Sequence, residues 1–214
     1  MLEILNQHII KILVAIRKGD SIRQISKRIN LSYGWTYYWC GQLEKKGVLK
    51  KEGKKIFLVE NDFYKEVIKF ISVIIKKDLA LHYSIISLFG LKYAFCFTDA
   101  VFVWTKGGYN IARSKENYPI FIKICEDNLP FWKFYFEKLS LPYTYIPNLR
   151  KKGIYYVLDV VKEDFFVDSV DNVPVISLQE CIDFMRKYIY NFEPAIEMIQ
   201  EMYDKKLGVR YRHG

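Results

Sequence analysis

Apolar residues recur at Leu5, Ile9, Ile12, Leu13 and Ile16. That spacing predicts a helix with one buried stripe over residues 2–18, stopped by Gly19. Ser21 and Gln24 then stand three apart at the head of a second apolar-periodic run, the pattern of a capping box. This second helix, to about Ile29, is expected to bury Ile22, Ile25 and Ile29 and to expose Arg23, Lys27 and Arg28. Asn30-Leu31-Ser32 reads as a tight turn, with Ser32 the N-cap of a third helix running to Lys46. Thr36, Cys40 and Leu43 share the inward face of that helix, which leaves Tyr33, Gly34, Trp35, Tyr38, Trp39 and Gln42 mainly on the others. Gly47 ends it, and residues 48–59 read as strand, turn at Gly53 and strand, a β-hairpin carrying Lys50, Lys51, Lys54 and Lys55.

Asn61-Asp62 caps a further helix over residues 63–77 with a wide apolar stripe at Phe63, Val67, Phe70, Ile71, Ile74 and Ile75. Such a helix is either a connector or dimer helix, or ordinary packing within its own domain. Beyond it the pattern predicts a helix over 79–88 and strands over 93–98 and 101–105. A turn at Lys106-Gly107-Gly108, a strand over 120–125, a helix over 129–139 and strands over 154–161 and 174–176 follow. Ser177 and Glu180 read as a second capping box, opening a helix that buries Leu178, Cys181, Ile182 and Met185. Pro194, at a first-turn position, opens the last helix, to about Tyr203. The expected class is α+β: three helices and a hairpin over 1–60, a connector over 61–78, and over 79–214 an α/β domain with a central sheet flanked by helices.

At 51% hydrophobic and 27% charged, the 214 residues are apolar enough for packed cores, so disorder is not the default. Charge changes the picture more. The net charge is +9, and residues 1–60 alone hold twelve Lys/Arg against five Asp/Glu. A charge gathered at one end points to a polyanionic partner there; a solvated lysine-rich surface is the plainer alternative. The nearest two of the four cysteines are 29 residues apart, and His8, His82 and His213 are scattered. No metal site and no cofactor are therefore expected, and the thiols are read as reduced and buried. The start at Met1-Leu2-Glu3 lacks a basic and then long apolar region, and runs such as 70–75 are too short to span a bilayer. The expectation is a cytoplasmic protein without membrane contact.

Three helices followed by a basic hairpin is the winged-helix order. Ile25-Ser26-Lys27-Arg28-Ile29-Asn30-Leu31-Ser32-Tyr33 resembles the turn of the winged helix-turn-helix regulators, and Leu43-Glu44-Lys45-Lys46-Gly47-Val48-Leu49 resembles the end of their recognition helix and the first wing strand. The resemblance covers residues 5–60 without gaps. It implies a transcriptional regulator that binds duplex DNA; a single winged helix covers one short half-site, so a homodimer on two half-sites is expected. A helix fits the major groove, and lysines on a hairpin reach neighbouring phosphates. The DNA-binding set expected is Arg23, Lys27, Ser32, Tyr33, Gly34, Trp35, Tyr38, Trp39, Gln42, Lys50, Lys51, Lys54 and Lys55. One departure stands out: many members carry Arg, Asn or Gln on this helix, whereas this chain offers mostly rings. Those rings either contact thymine methyls or form a protein interface.

The second part is similar, over scattered segments of 79–190, to the nucleotidyltransferase-like domain of AbiEi-type antitoxins. The segments are Ala80-Leu81-His82 to Gly90-Leu91, Phe97-Thr98-Asp99-Ala100-Val101-Phe102-Val103-Trp104-Thr105, and Val173 to Glu180. Catalytic nucleotidyltransferases hold Mg²⁺ with an Asp-x-Asp pair beside a Gly-Ser turn. Here Val101 stands two after Asp99, no Gly-Ser precedes it, and Asp159 is the remaining candidate carboxylate. The resemblance thus implies a degenerate, non-catalytic domain, with Asp99 read as a hairpin-turn residue. No P-loop, Gly-x-Ser-x-Gly or His-Glu-x-x-His occurs. The basic run Arg150-Lys151-Lys152 is either a solvated loop or a supplementary phosphate contact. Two rivals remain: an active nucleotidyltransferase with a winged-helix appendage, and an antitoxin acting on a partner toxin.

Overall fold

The computed structural model describes residues 6–114, 116–145, 149 and 151–208. Half of the residues are helical and a fifth lie in strands, so the chain is α+β. By contact it divides into two compact units. One comprises the chain up to Leu91 together with Phe131–Leu141, and the other comprises Lys92–Pro130 and the chain from Pro142 on. The boundary expected at residue 60 falls inside the first unit.

In that unit α1 spans Gln7–Ala15, N-capped by Asn6, and buries Ile9, Ile12, Leu13, Val14 and Ala15. Leu2 and Leu5, placed in this helix by periodicity, lie outside the described residues. The helix ends at Ile16, before Gly19, because residues 17–20 are drawn elsewhere. Gly19 N–H donates to Ile56 O (3.1 Å) and Ile56 N–H to Asp20 O (2.7 Å), which ties this segment to the hairpin. Helix α2 (Ile22–Arg28) opens with the expected capping box of Ser21 and Gln24. Helix α3 (Tyr33–Lys45) opens on Ser32, whose hydroxyl accepts from Trp35 N–H. Strands β1 (Leu49–Glu52) and β2 (Lys55–Leu58) are antiparallel, with Leu49 opposite Leu58 and Glu52 opposite Lys55. Gly53, at φ +61°, begins their two-residue loop, a backbone state that glycine adopts without steric cost.

Helix α4 (Asp62–Ile75), capped by Asn61, buries Tyr64, Val67, Ile71, Ser72 and Ile75, and α5 (Leu79–Ile85) runs on into a 3₁₀ turn to Phe89. The unit is completed by Phe131–Leu141, where Trp132, Tyr135 and Phe136 are fully buried and Tyr135 stacks on Phe89 with ring centroids 4.3 Å apart.

The second unit is built on a six-stranded mixed sheet of order β5-β6-β4-β3-β8-β7. Its strands are β3 (Tyr93–Phe95), β4 (Asn117–Cys125), β5 (Tyr143–Thr144), β6 (Gly153–Val161), β7 (Asp168–Val170) and β8 (Val173–Val175). The long pair β4 and β6 is parallel in register from Asn117–Gly153 to Cys125–Val161. Helices α6 (Phe97–Trp104), α8 (Leu178–Lys187) and α9 (Ile189–Met202) enclose a core that includes Ala94, Val101, Trp104, Ile182, Met185 and Ile196. Helix α7 (Leu129–Lys138) leads out of this unit into the first.

Three expectations are corrected here. Residues 101–105, read as a strand, form the end of α6 and its C-cap Thr105, and Asp99 is a buried first-turn residue of that helix instead of a hairpin turn. A short continuous apolar run misleads, since it fits a strand or a buried helix equally, and α6 buries Ala100, Val101 and Trp104 by helical spacing. Ser177 caps α8 through Glu180 N–H, but the Glu180 carboxylate turns to Lys123 on β4, so no box closes. The last helix begins at Ile189, and Pro194 sits inside it. Among the described residues no helix is long and apolar enough to cross a membrane.

Candidate nucleic-acid interface

Helix α3 turns one narrow stripe inward: Thr36, Trp39, Cys40 and Leu43 are buried. Trp39 therefore leaves the set of surface candidates. It stands three after Thr36 and four before Leu43, so it completes the inward stripe, a spacing that Thr36, Cys40 and Leu43 already signalled. Burial pushes the Cys40 thiol up to about 12, which keeps it protonated and unreactive.

Outside that stripe four large rings are 48–55% exposed: Tyr33, Trp35, Tyr37 and Tyr38. Tyr37 was missed in the sequence, although it stands one helical turn after Tyr33. Trp35 is not loose. It stacks on Trp39 (6.4 Å, 17°) and on His8 of α1 (6.2 Å, 25°), with Tyr38 edge-on at 6.0 Å. Gly34 is exposed and Gln42 half-buried. Ser32 is spent on capping the helix.

The hairpin lies against α3. Lys51 Nζ sits 4.7 Å from the Tyr37 ring centroid and 3.1 Å from Glu44 of the same helix. Lys50 pairs with Glu52 at 2.9 Å, an exposed pair that gains little in water. Lys54 and Lys55, at the tip, are exposed and have no acidic partner among the described residues. Of the four hairpin lysines, these two are the free cations. On α2, Arg23 and Lys27 are exposed.

Arg28, expected beside them on the surface, is instead a clasp. Its guanidinium forms a two-point ion pair with buried Asp20 (2.6 and 2.9 Å) and donates to Ala15 O at the end of α1 (2.6 Å). Asp20 also accepts from Arg17 N–H (2.8 Å). One buried carboxylate thus fixes the corner from α1 to α2 and holds α2 in place.

In the second unit, Asp99 is also committed internally. It accepts from Arg113 (3.0 Å) and from Phe121 N–H of β4 (2.8 Å), while Arg113 reaches Pro119 O and the Thr98 hydroxyl. Asp159 faces Lys123 at 3.8 Å, and Lys123 also binds Glu180. Burial raises the Asp159 carboxyl despite the lysine. Among the described residues no three His, Cys, Asp or Glu side chains gather as a metal-binding group. The four cysteines are free and buried. Of the basic run before Gly153, Arg150 lies outside the described residues, as does His213.

Compared with protein-family models, with curated proteins and with solved structures, the chain matches none of them.

Proposed function

We propose that the chain is a transcriptional regulator that binds duplex DNA through a winged helix-turn-helix formed by α1, α2, α3 and the β1–β2 hairpin. The observation that supports this reading is the exposed rings of α3 beside a basic hairpin that lies against the same helix, Lys51 over Tyr37, and that carries Lys54 and Lys55 without acidic partners among the described residues. In this reading α3 enters the major groove, while Lys54, Lys55, Lys50 and Lys51 of the wing and Arg23 and Lys27 of α2 meet phosphates. Two copies bind two half-sites, held by the apolar surface of α4, and the protein works where its DNA is, in the cytoplasm. The second unit, nucleotidyltransferase-like and degenerate, serves as a partner, sensing or oligomerisation domain, as in an antitoxin. No catalytic step belongs to it: Asp99 is occupied by Arg113 and a backbone amide, and it sits on a helix without a paired carboxylate.

The test is salt-dependent binding. Replacing Lys54 and Lys55 with Gln is expected to weaken binding to every duplex alike. It should also reduce the slope of log affinity against log salt by about 1 per lost phosphate contact. An unchanged slope removes the wing from the interface. Lys51 is expected to contribute less than Lys54, because Glu44 and Tyr37 already engage it.

A further inference from the structure

We infer that α3 reads DNA chiefly through the C5-methyl groups of thymine, with Trp35 and Tyr38 as the residues that set the preference. The inference rests on the proposed duplex-binding reading and names what that helix recognises. Hydrogen-bonded readout of the major groove needs particular side chains: Arg or Lys for guanine, Asn or Gln for adenine, Asp or Glu for cytosine. Between Tyr33 and Gly41 the helix has none of them, and its Thr36, a type that can also reach bases, is buried. The first amide is Gln42, two turns in and half-buried. What this stretch offers outward is mostly ring surface, tipped by the hydroxyls of Tyr33, Tyr37 and Tyr38, and the thymine methyl is the one apolar mark in the major groove.

The rings are also held ready. Trp35 is backed by Trp39 and His8, and Tyr38 packs edge-on against both Trp35 (6.0 Å) and Trp39 (5.0 Å). A fixed apolar surface gives up little side-chain freedom on binding. Tyr38 also lies on the face opposite the buried stripe, between Gly34 and Gly41. Among the described residues a Cβ added at either glycine would meet nothing within 4 Å, so the helix backbone beside the ring is open on that side. Charge favours nucleic acid over an apolar protein as the occupant, since the hairpin that meets α3 at Tyr37 and Glu44 presents Lys54 and Lys55 without acidic partners among the described residues.

The experiment uses the full chain and duplexes it selects from a random pool, each then resynthesised with deoxyuridine in place of thymidine. Deoxyuridine keeps every hydrogen-bonding group and lacks only the methyl. Affinity is expected to fall roughly fourfold per contacted methyl, the equivalent of one methyl group left in water, and about tenfold or more over a site with several. Equal affinity for the two duplexes would overturn the methyl readout and leave the proposed function standing. No selection of any duplex would overturn the proposed function itself. In the Trp35→Ala/Tyr38→Ala double variant the two duplexes are expected to bind alike. Both side chains are about half exposed, so the fold, followed by circular dichroism, is expected to survive. Discrimination retained in that variant would overturn the assignment to these two rings.

Discussion

Inside an α-helix, alanine is more stable than glycine by about 0.5–1 kcal/mol, because glycine loses more backbone freedom on folding. Gly41 lies within α3 and Gly34 in its first turn, and neither has a positive φ. Among the described residues nothing lies within 4 Å of a Cβ added at either position, so packing inside the described fold supplies no reason for them. A partner approaching the helix backbone does. Gly34→Ala and Gly41→Ala are therefore expected to raise the melting temperature while weakening duplex binding, about tenfold for the pair. Thermal unfolding and a binding titration on the same samples check this. Variants that are more stable and bind equally well would place the partner elsewhere. The residue scale is also where sequence reading was least complete. Arg28 looks like any surface cation on a helix, and only the fold reveals Asp20 and Ala15 O beside it. Asp99 resembles a turn residue until β4 brings Phe121 N–H to it.

Elements were more legible where capping and periodicity agreed. Helices α2, α3 and α4 each start at the Ser21, Ser32 or Asn61 cap named from the sequence, because local side-chain bonds decide those ends. Short strands were legible only in part. Strand β7 went unseen, yet Asp171 and Asn172, both at positive φ (50° and 65°), form the tight turn between β7 and β8. An Asp-Asn pair at a turn was the available signal. Strand β5 has two residues and no periodicity to read. Helix α4 leaves a different kind of question. Its stripe is wider than its own unit covers: Phe70, Val73 and Ile74 remain 42–51% exposed. Two half-sites require two copies, and this surface is the one we assign to hold them. The parent is expected to be a dimer by light scattering at micromolar concentration, and the Phe70→Glu/Ile74→Glu variant to stay folded and be a monomer. A monomeric parent, free and on DNA, would leave a single-site binder.

At the scale of the whole molecule, the first unit is not contiguous in sequence, although residues 1–60 read as an independent domain. A return segment, Phe131–Leu141, belongs to it. Its role is chemical as well as steric. The last carbonyls of a helix lack partners within that helix, and those of α1 are in a buried stretch. Tyr135 Oη donates to Ala15 O (2.7 Å), and Lys138 Nζ donates to Val14 O (3.1 Å) and Ile16 O (3.2 Å). Burial and the nearby Arg28 bring Lys138 down to about 7, so this cap changes charge near neutrality. Arg17 adds bonds to Tyr135 Oη (2.8 Å) and Phe89 O (2.6 Å). A fragment of residues 1–91 loses all of these bonds except Arg17 to Phe89. It also loses the rings of Trp132, Tyr135 and Phe136. Each lost ring is worth about 1.5–3 kcal/mol of burial, and the buried carbonyls of Val14 and Ile16, which lose Lys138, cost about 1–3 kcal/mol each, while Ala15 O keeps Arg28. Against a total stability of about 5–15 kcal/mol, the sum is enough to unfold the fragment. The fragment is therefore expected to show no cooperative melting transition and to bind duplex DNA at least a hundredfold more weakly than the full chain. A fragment that melts sharply and binds as the parent does would show the return segment to be dispensable. In the full chain, Tyr135→Phe isolates the polar part of the argument: it keeps the ring on Phe89 and removes the bonds to Ala15 O and from Arg17, and because Ala15 O keeps Arg28 it is expected to cost about 0.5–1.5 kcal/mol per lost bond in denaturant unfolding.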